Sequence, residues 1–137
     1  MTDQIDQHSA LIYTMVLIAA ANGDMTDQEL NVMGRIVQTL PAFRDFDKER
    51  LIEVGQGCAE LLRDDDGLDE ALDRIHTALP QRLRETSYAL ACEVAAVDGQ
   101  AESAELQVLE MLRHRLGIER LTAAAIERAT RARYATV

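Results

Sequence analysis

Two stretches of the chain arrange oxygen-bearing side chains around a glycine in a spacing that suits a hard cation. Residues 20–30 read AANGDMTDQEL, and residues 95–106 read AAVDGQAESAEL. In a calcium-binding EF-hand loop, glycine holds position 6 and a bidentate glutamate holds position 12. Gly23 and Glu29 have that separation, as do Gly99 and Glu105. On the same scale Asn22 and Asp98 fall at position 5, Asp24 at position 7, and Thr26 and Glu102 at position 9. The front of each loop lacks ligands, because Ile18 and Ala20, or Val94 and Ala96, stand there. Neither stretch is a complete EF-hand. A hard cation takes about six to eight oxygens, so the metal reading needs two half-sites that pool their donors. These are Asn22, Asp24 and Glu29 with Asp98, Glu102 and Glu105, and the cation is divalent: Ca²⁺, Mg²⁺ or Mn²⁺.

Glu93 extends this set. It interrupts the otherwise apolar run YALACEVAAVDG, where a carboxylate is costly to bury without compensation. It is an inward-facing ligand or a shifted-pKa group, or else a flank residue paired with an arginine.

Local physics offers a second account of both stretches. Glycine supplies a left-handed turn. Thr26 followed three residues later by Glu29 is a capping box at a helix start. Asn22 or Asp98 satisfies nearby backbone donors. On this account the turns are helix caps and hold nothing.

Other chemistry is poorly represented. His8, His76 and His114 have no partner at zinc-ligand spacing. Ser9, Ser87 and Ser103 lack a G-x-S-x-G setting, and no phosphate-cradling glycine loop is present. Cys58 and Cys92 form no CxxC pair and read as reduced, buried residues of a cytosolic protein. The acidic run at Asp64, Asp65 and Asp66, with Asp69, Glu70 and Asp73 following, reads as a solvated helix start. No nucleophile–base pair emerges, so an enzyme is not expected. A metal-dependent hydrolase using carboxylates alone is the weakest alternative.

The elements that must position these residues are helices. The spacing predicts seven: about 6–21, 26–40, 47–62, 67–79, 80–97, 102–116 and 119–134. The first is apolar nearly all round and belongs at the centre. Pro41 ends the second, Pro80 opens the fifth at its first turn, and Gly117 terminates the sixth. Gly55 and Gly57 within the third signal a close helix approach or a bend. No segment alternates with period two. An offset of 76 aligns Ala19, Ala20, Gly23, Glu29, Leu30 and Val32 with Ala95, Ala96, Gly99, Glu105, Leu106 and Val108. The expected fold is therefore an all-α compact bundle. It contains two pseudo-two-fold related helix–Gly turn–helix units, at about 6–40 and 80–117, within a single domain spanning 1–137.

Charge narrows the partners. The chain carries a formal net charge of −10. Residues 1–110 hold 8 Lys/Arg against 22 Asp/Glu, whereas residues 111–137 hold 6 against 2. An acidic body repels nucleic acid and anionic lipid, and attracts cations and basic partners. The run ALIYTMVLIAAA is about a dozen residues long, short of the roughly 20 needed to span a bilayer. The expected protein is cytoplasmic and not inserted in a membrane.

Three segments carry a family resemblance: ALIYTMVLIAAANGDMTDQEL, LPQRLRETSYALACEVAAVDGQAESAEL and LGIERLTAAAIERATRARY. With them the chain resembles the tellurite-resistance TerB family over nearly its whole length. That domain is also similar to the N-terminal region of DjlA-type co-chaperones. The resemblance implies an all-α cytoplasmic domain linked to tellurite and stress responses, with metal held by acidic residues at the Gly turns. Carried onto this sequence, those residues are Asp24, Glu29, Asp98 and Glu105. Asn22 stands where the family pattern has Asp, and Gln100 lacks the charge of its repeat mate Asp24. The alternative function is a protein–protein interaction module whose turns are only caps. Its groove would lie between apolar helix faces, and it would take a basic or membrane-associated partner.

Overall fold

The helix that the sequence places at the centre is buried from Ser9 to Ala19, because its apolar side chains leave no polar face to turn outward. This is α1, Gln7–Ala19 in the computed structural model, which describes residues 4–21, 23, 25–97 and 103–137. The Asp6 carboxylate caps α1 by accepting from the Ser9 N–H at 2.7 Å. The others are α2 (Asp27–Thr39), α3 (Leu51–Leu61), α4 (Gly67–Ala78), α5 (Gln81–Ala96), α6 (Ser103–Leu116) and α7 (Arg120–Arg133). Two 3₁₀ turns, Pro41–Phe43 and Lys48–Arg50, join α2 to α3. The described residues contain these seven α-helices and no strand, as the sequence predicts.

α1 packs most extensively on α5, and α3 and α4 close over it from other sides. One continuous core results, with Leu11, Ile12, Met15, Ile18, Leu72, Ile75, Val94 and Leu112 among its most buried side chains. Where α1 crosses α5, Thr14 pairs with Ser87 at 2.8 Å and also donates to the Ala10 carbonyl at 2.9 Å. Two fully buried hydroxyls are thereby satisfied inside the core.

Several helix ends follow the expected chemistry. Thr26 and Glu29 form the capping box at the start of α2. Gly117 adopts φ +66°, and the Ile118 N–H reaches back to the Arg113 carbonyl at 3.1 Å, so α6 ends in a Schellman turn. Other ends differ. Asp47 caps the 3₁₀ turn at Lys48–Arg50 by accepting from the Glu49 N–H, not α3 itself, because the chain tightens for one turn first. Pro80 is the residue before the first turn of α5, in extended conformation, not the first helical residue. Asp66 precedes α4 without a side-chain cap. Gly55 and Gly57 face Val16 and Tyr13 of α1, yet a Cβ at either would make only ordinary contacts, at 3.9 and 3.7 Å. The tight approach is at Gly67, where a Cβ would lie 2.0 Å from the Leu61 carbonyl oxygen.

Candidate functional site

The first candidate stretch lies between α1 and α2. Gly23 has φ +106°, a conformation that side-chain-bearing residues rarely adopt. Thr26 is in extended conformation, and its hydroxyl accepts from the Glu29 N–H at 3.1 Å. Glu29 returns its Oε1 to the Thr26 N–H at 2.8 Å. This folds the Glu29 side chain back over the helix start, and the residue is 3% exposed. Its carboxylate is therefore held inward at the positive end of α2.

The second candidate stretch leads into α6. Glu105, the residue 76 positions after Glu29, lies in the first turn of that helix and is also 3% exposed. The two units thus bury a carboxylate at the same sequence register. Asn22, Asp24, Asp98 and Glu102 lie outside the described residues, as do Gly99 and Gln100. Among the described residues no group of three or more His, Cys, Asp or Glu side chains is gathered closely enough to hold a metal ion.

Glu93, the remaining sequence candidate, sits on α5 among cations. Tyr134 donates its hydroxyl to Glu93 Oε2 at 2.9 Å. Arg133 approaches Oε1 at 3.4 Å, and Arg35, from α2, approaches Oε2 at 3.6 Å. The buried carboxylate is thereby compensated from two helices, the arginine-paired reading of this residue. Burial, followed by the bond to Glu93, raises the Tyr134 hydroxyl above its ordinary value.

A parallel contact went unseen in the sequence. Tyr88, also on α5, donates to Glu127 of α7 at 2.5 Å. Tyr88 and Glu127 meet earlier along their helices than Glu93 and Tyr134, so α7 runs in the same direction as α5. A second unseen contact lies between α4 and α6. Arg115 reaches both Asp69 and Asp73, the latter at 2.6 Å. These carboxylates were expected to be solvated only. The signal in the sequence was their spacing of four, which places both on one helix face. Arg84 likewise caps the end of α4 by donating to the Leu79 and His76 carbonyls at 3.0 and 3.1 Å.

The two cysteine thiols are not activated as nucleophiles. Burial pushes the Cys58 and Cys92 thiols up to about 12, so both are protonated at neutral pH. His8 packs on Phe43 and Phe46, with ring centroids 5.7 and 5.1 Å away. His114 lies 3.8 Å from Glu110, its neighbour one turn back. None of the described helices is long and apolar enough to cross a membrane.

No curated protein and no solved structure matches the chain. The family model described as tellurite resistance protein TerB matches residues 8–129, from the first turn of α1 into α7. The chain belongs to the TerB family.

Proposed function

We propose that this chain is a non-catalytic TerB-family domain that binds one divalent cation between its two Gly turns and acts in a stress response of the kind the family name denotes. The observation that carries this reading is the paired burial of Glu29 and Glu105, each at 3% exposure in the first turn after its loop. Burying both carboxylates costs their solvation, and Glu105 already has an interaction partner in the fold. A capping bond supports one oxygen of Glu29. A cation supplies far more to a carboxylate than one backbone N–H does.

The donor set is chemically coherent. Carboxylates and amide carbonyls are hard ligands and suit Ca²⁺, Mg²⁺ or Mn²⁺ better than a thiophilic metal. Glu29 and Glu105 are the inner carboxylates of the proposed site. By sequence spacing alone, Asn22, Asp24, Asp98 and Glu102 are the further oxygen donors the proposed site would draw on. Glu93 takes the supporting part, with its charge already met by Arg35, Arg133 and Tyr134. Tellurite itself is a poor ligand here, because an oxyanion is repelled by a net charge of −10.

Thermal unfolding with Ca²⁺, Mg²⁺, Mn²⁺ and Zn²⁺ tests the proposal. Glutamine also completes a capping box, so Glu29→Gln keeps the cap and removes only the ligand charge. The expected result is a cation-dependent rise in Tm for the native chain and no rise for Glu29→Gln or Glu105→Gln. Equal stabilisation of all three proteins, or none in any, refutes the cation site.

A second reading is favoured by the completeness of the capping box. If the turns are caps alone, the chain is an interaction module that engages a partner protein through a cleft between helices.

A further inference from the structure

α7 is held to the bundle along one side, chiefly through α5, and Ala123 is its only buried residue. The opposite side carries Leu121, Ala125 and Arg128, at helical spacing and all exposed. No acidic side chain shares that side. Glu119 precedes the helix, and Glu127 is turned toward α5 by its bond to the Tyr88 hydroxyl. α3 presents the reverse. Its exposed side carries Ile52, Gln56 and Glu60, with Glu53 beside them, and the helix Leu51–Leu61 contains no cation. Arg63 follows that helix but runs directly into Asp64, Asp65 and Asp66, so the local balance stays negative.

The two faces share one layout with opposite charge. Leu121 is 81% exposed and Ile52 71%, and apart from the terminal Val137 they are the most exposed large apolar side chains among the described residues. Arg128 lies seven residues beyond Leu121, about 10.5 Å along its helix, and Glu60 lies eight beyond Ile52, about 12 Å. An uncharged residue, Ala125 or Gln56, stands between them in each case. Neither Arg128 nor Glu60 makes an ion pair among the described residues. α3 packs on α1, α1 on α5 and α5 on α7, so α1 and α5 stand between the two faces and a single chain does not join its own.

We propose that the α7 face of one copy of this chain docks on the α3 face of a second copy, the helices running in the same direction, with Leu121 against Ile52 and Arg128 against Glu60. The opposite direction would set Arg128 on Ile52 and Leu121 on Glu60. Charge along the whole chain favours the pairing, with 8 Lys/Arg against 22 Asp/Glu in residues 1–110 and 6 against 2 in residues 111–137. The joined patches are different surfaces, so each added copy leaves one α7 face and one α3 face open. Such an assembly grows head to tail into a ring or a filament. It uses neither the Gly turns nor a cation.

Sedimentation velocity of the full chain, with chelator present throughout, tests this separately from the cation site. In about 0.05 M salt the sedimentation coefficient of the native chain is expected to rise with protein concentration, and about 0.5 M salt should disperse the assembly, because the paired charges are near the surface. Arg128→Glu and Glu60→Arg each set like charges opposite one another, and each should weaken association by about tenfold or more. The double variant Arg128→Glu/Glu60→Arg reverses the pair and should restore association to within about threefold of the native chain. Both positions are exposed, so circular dichroism should be unchanged in all three variants. A native chain that stays monomeric overturns the proposal, as does association that both single variants leave intact. Loss with one single variant alone also overturns it, because that face would then meet a different surface. So does a double variant that stays dispersed.

Discussion

Glu93 and Tyr134 are joined by a 2.9 Å hydrogen bond between α5 and α7, and that bond ties the last helix to the core. α7 needs such ties. Ala123 is its only buried residue, so apolar packing alone holds it weakly. Tyr88 with Glu127 supplies a second polar tie.

Removing the hydroxyl in Tyr134→Phe should destabilise the chain by about 1–2 kcal/mol, the usual range for a hydrogen bond to a charged group. Urea denaturation measures it. A double-mutant cycle with Glu93→Gln should show that the two losses overlap instead of adding. Strict additivity would mean that the bond contributes nothing to stability.

Stability should fall on the alkaline side through the two thiols. Burial raises Cys58 and Cys92 from an ordinary 9.0 to about 12, so the fold favours the protonated form. Their contribution is present in full below about pH 9 and is lost as the pH rises through about 12. Denaturation midpoints across pH 7–11 should be level at first and then decline. Iodoacetamide should label the native thiols far more slowly than the unfolded ones at pH 8. Rapid labelling of the native chain would place a thiol at the surface.

The glycines should separate sharply. Gly67→Ala forces a Cβ to within 2.0 Å of the Leu61 carbonyl oxygen, backbone that cannot step aside cheaply. A loss of roughly 2–4 kcal/mol is expected. Gly55→Ala meets only Val16 at 3.9 Å and should gain up to about 1 kcal/mol from helix propensity. Thermal unfolding of the two variants settles the contrast, and a stable Gly67→Ala would show that the α3–α4 junction yields.

How much of this was legible in the sequence depends on how far apart the partners lie. The capping box of Thr26 and Glu29 and the Gly117 stop were readable because each is closed within a few residues. The central position of α1 was readable because its apolar character is continuous. Glu93 was conspicuous as a carboxylate in an apolar run. Its partners Arg35 and Arg133 lie 58 residues before it and 40 after, and no local pattern names them. The same holds for Arg115, whose partners Asp69 and Asp73 read locally as a solvated helix start. Gly55 and Gly57 misled in the other direction, since a glycine on a packed face signals closeness that only the neighbouring backbone can confirm. Within the candidate site, the matching register of Glu29 and Glu105 was legible but their burial was not, because it depends on packing from distant segments; Asn22, Asp24, Asp98 and Glu102 fall outside the described residues.

The central claim is one cation shared by two turns, and isothermal titration with Mn²⁺ tests it most directly. The shared site predicts one ion per chain in the native protein and none in either Glu29→Gln or Glu105→Gln. Two ions per chain, with each variant losing one, would contradict a shared site. An absence of binding by the native protein would contradict any site at the turns.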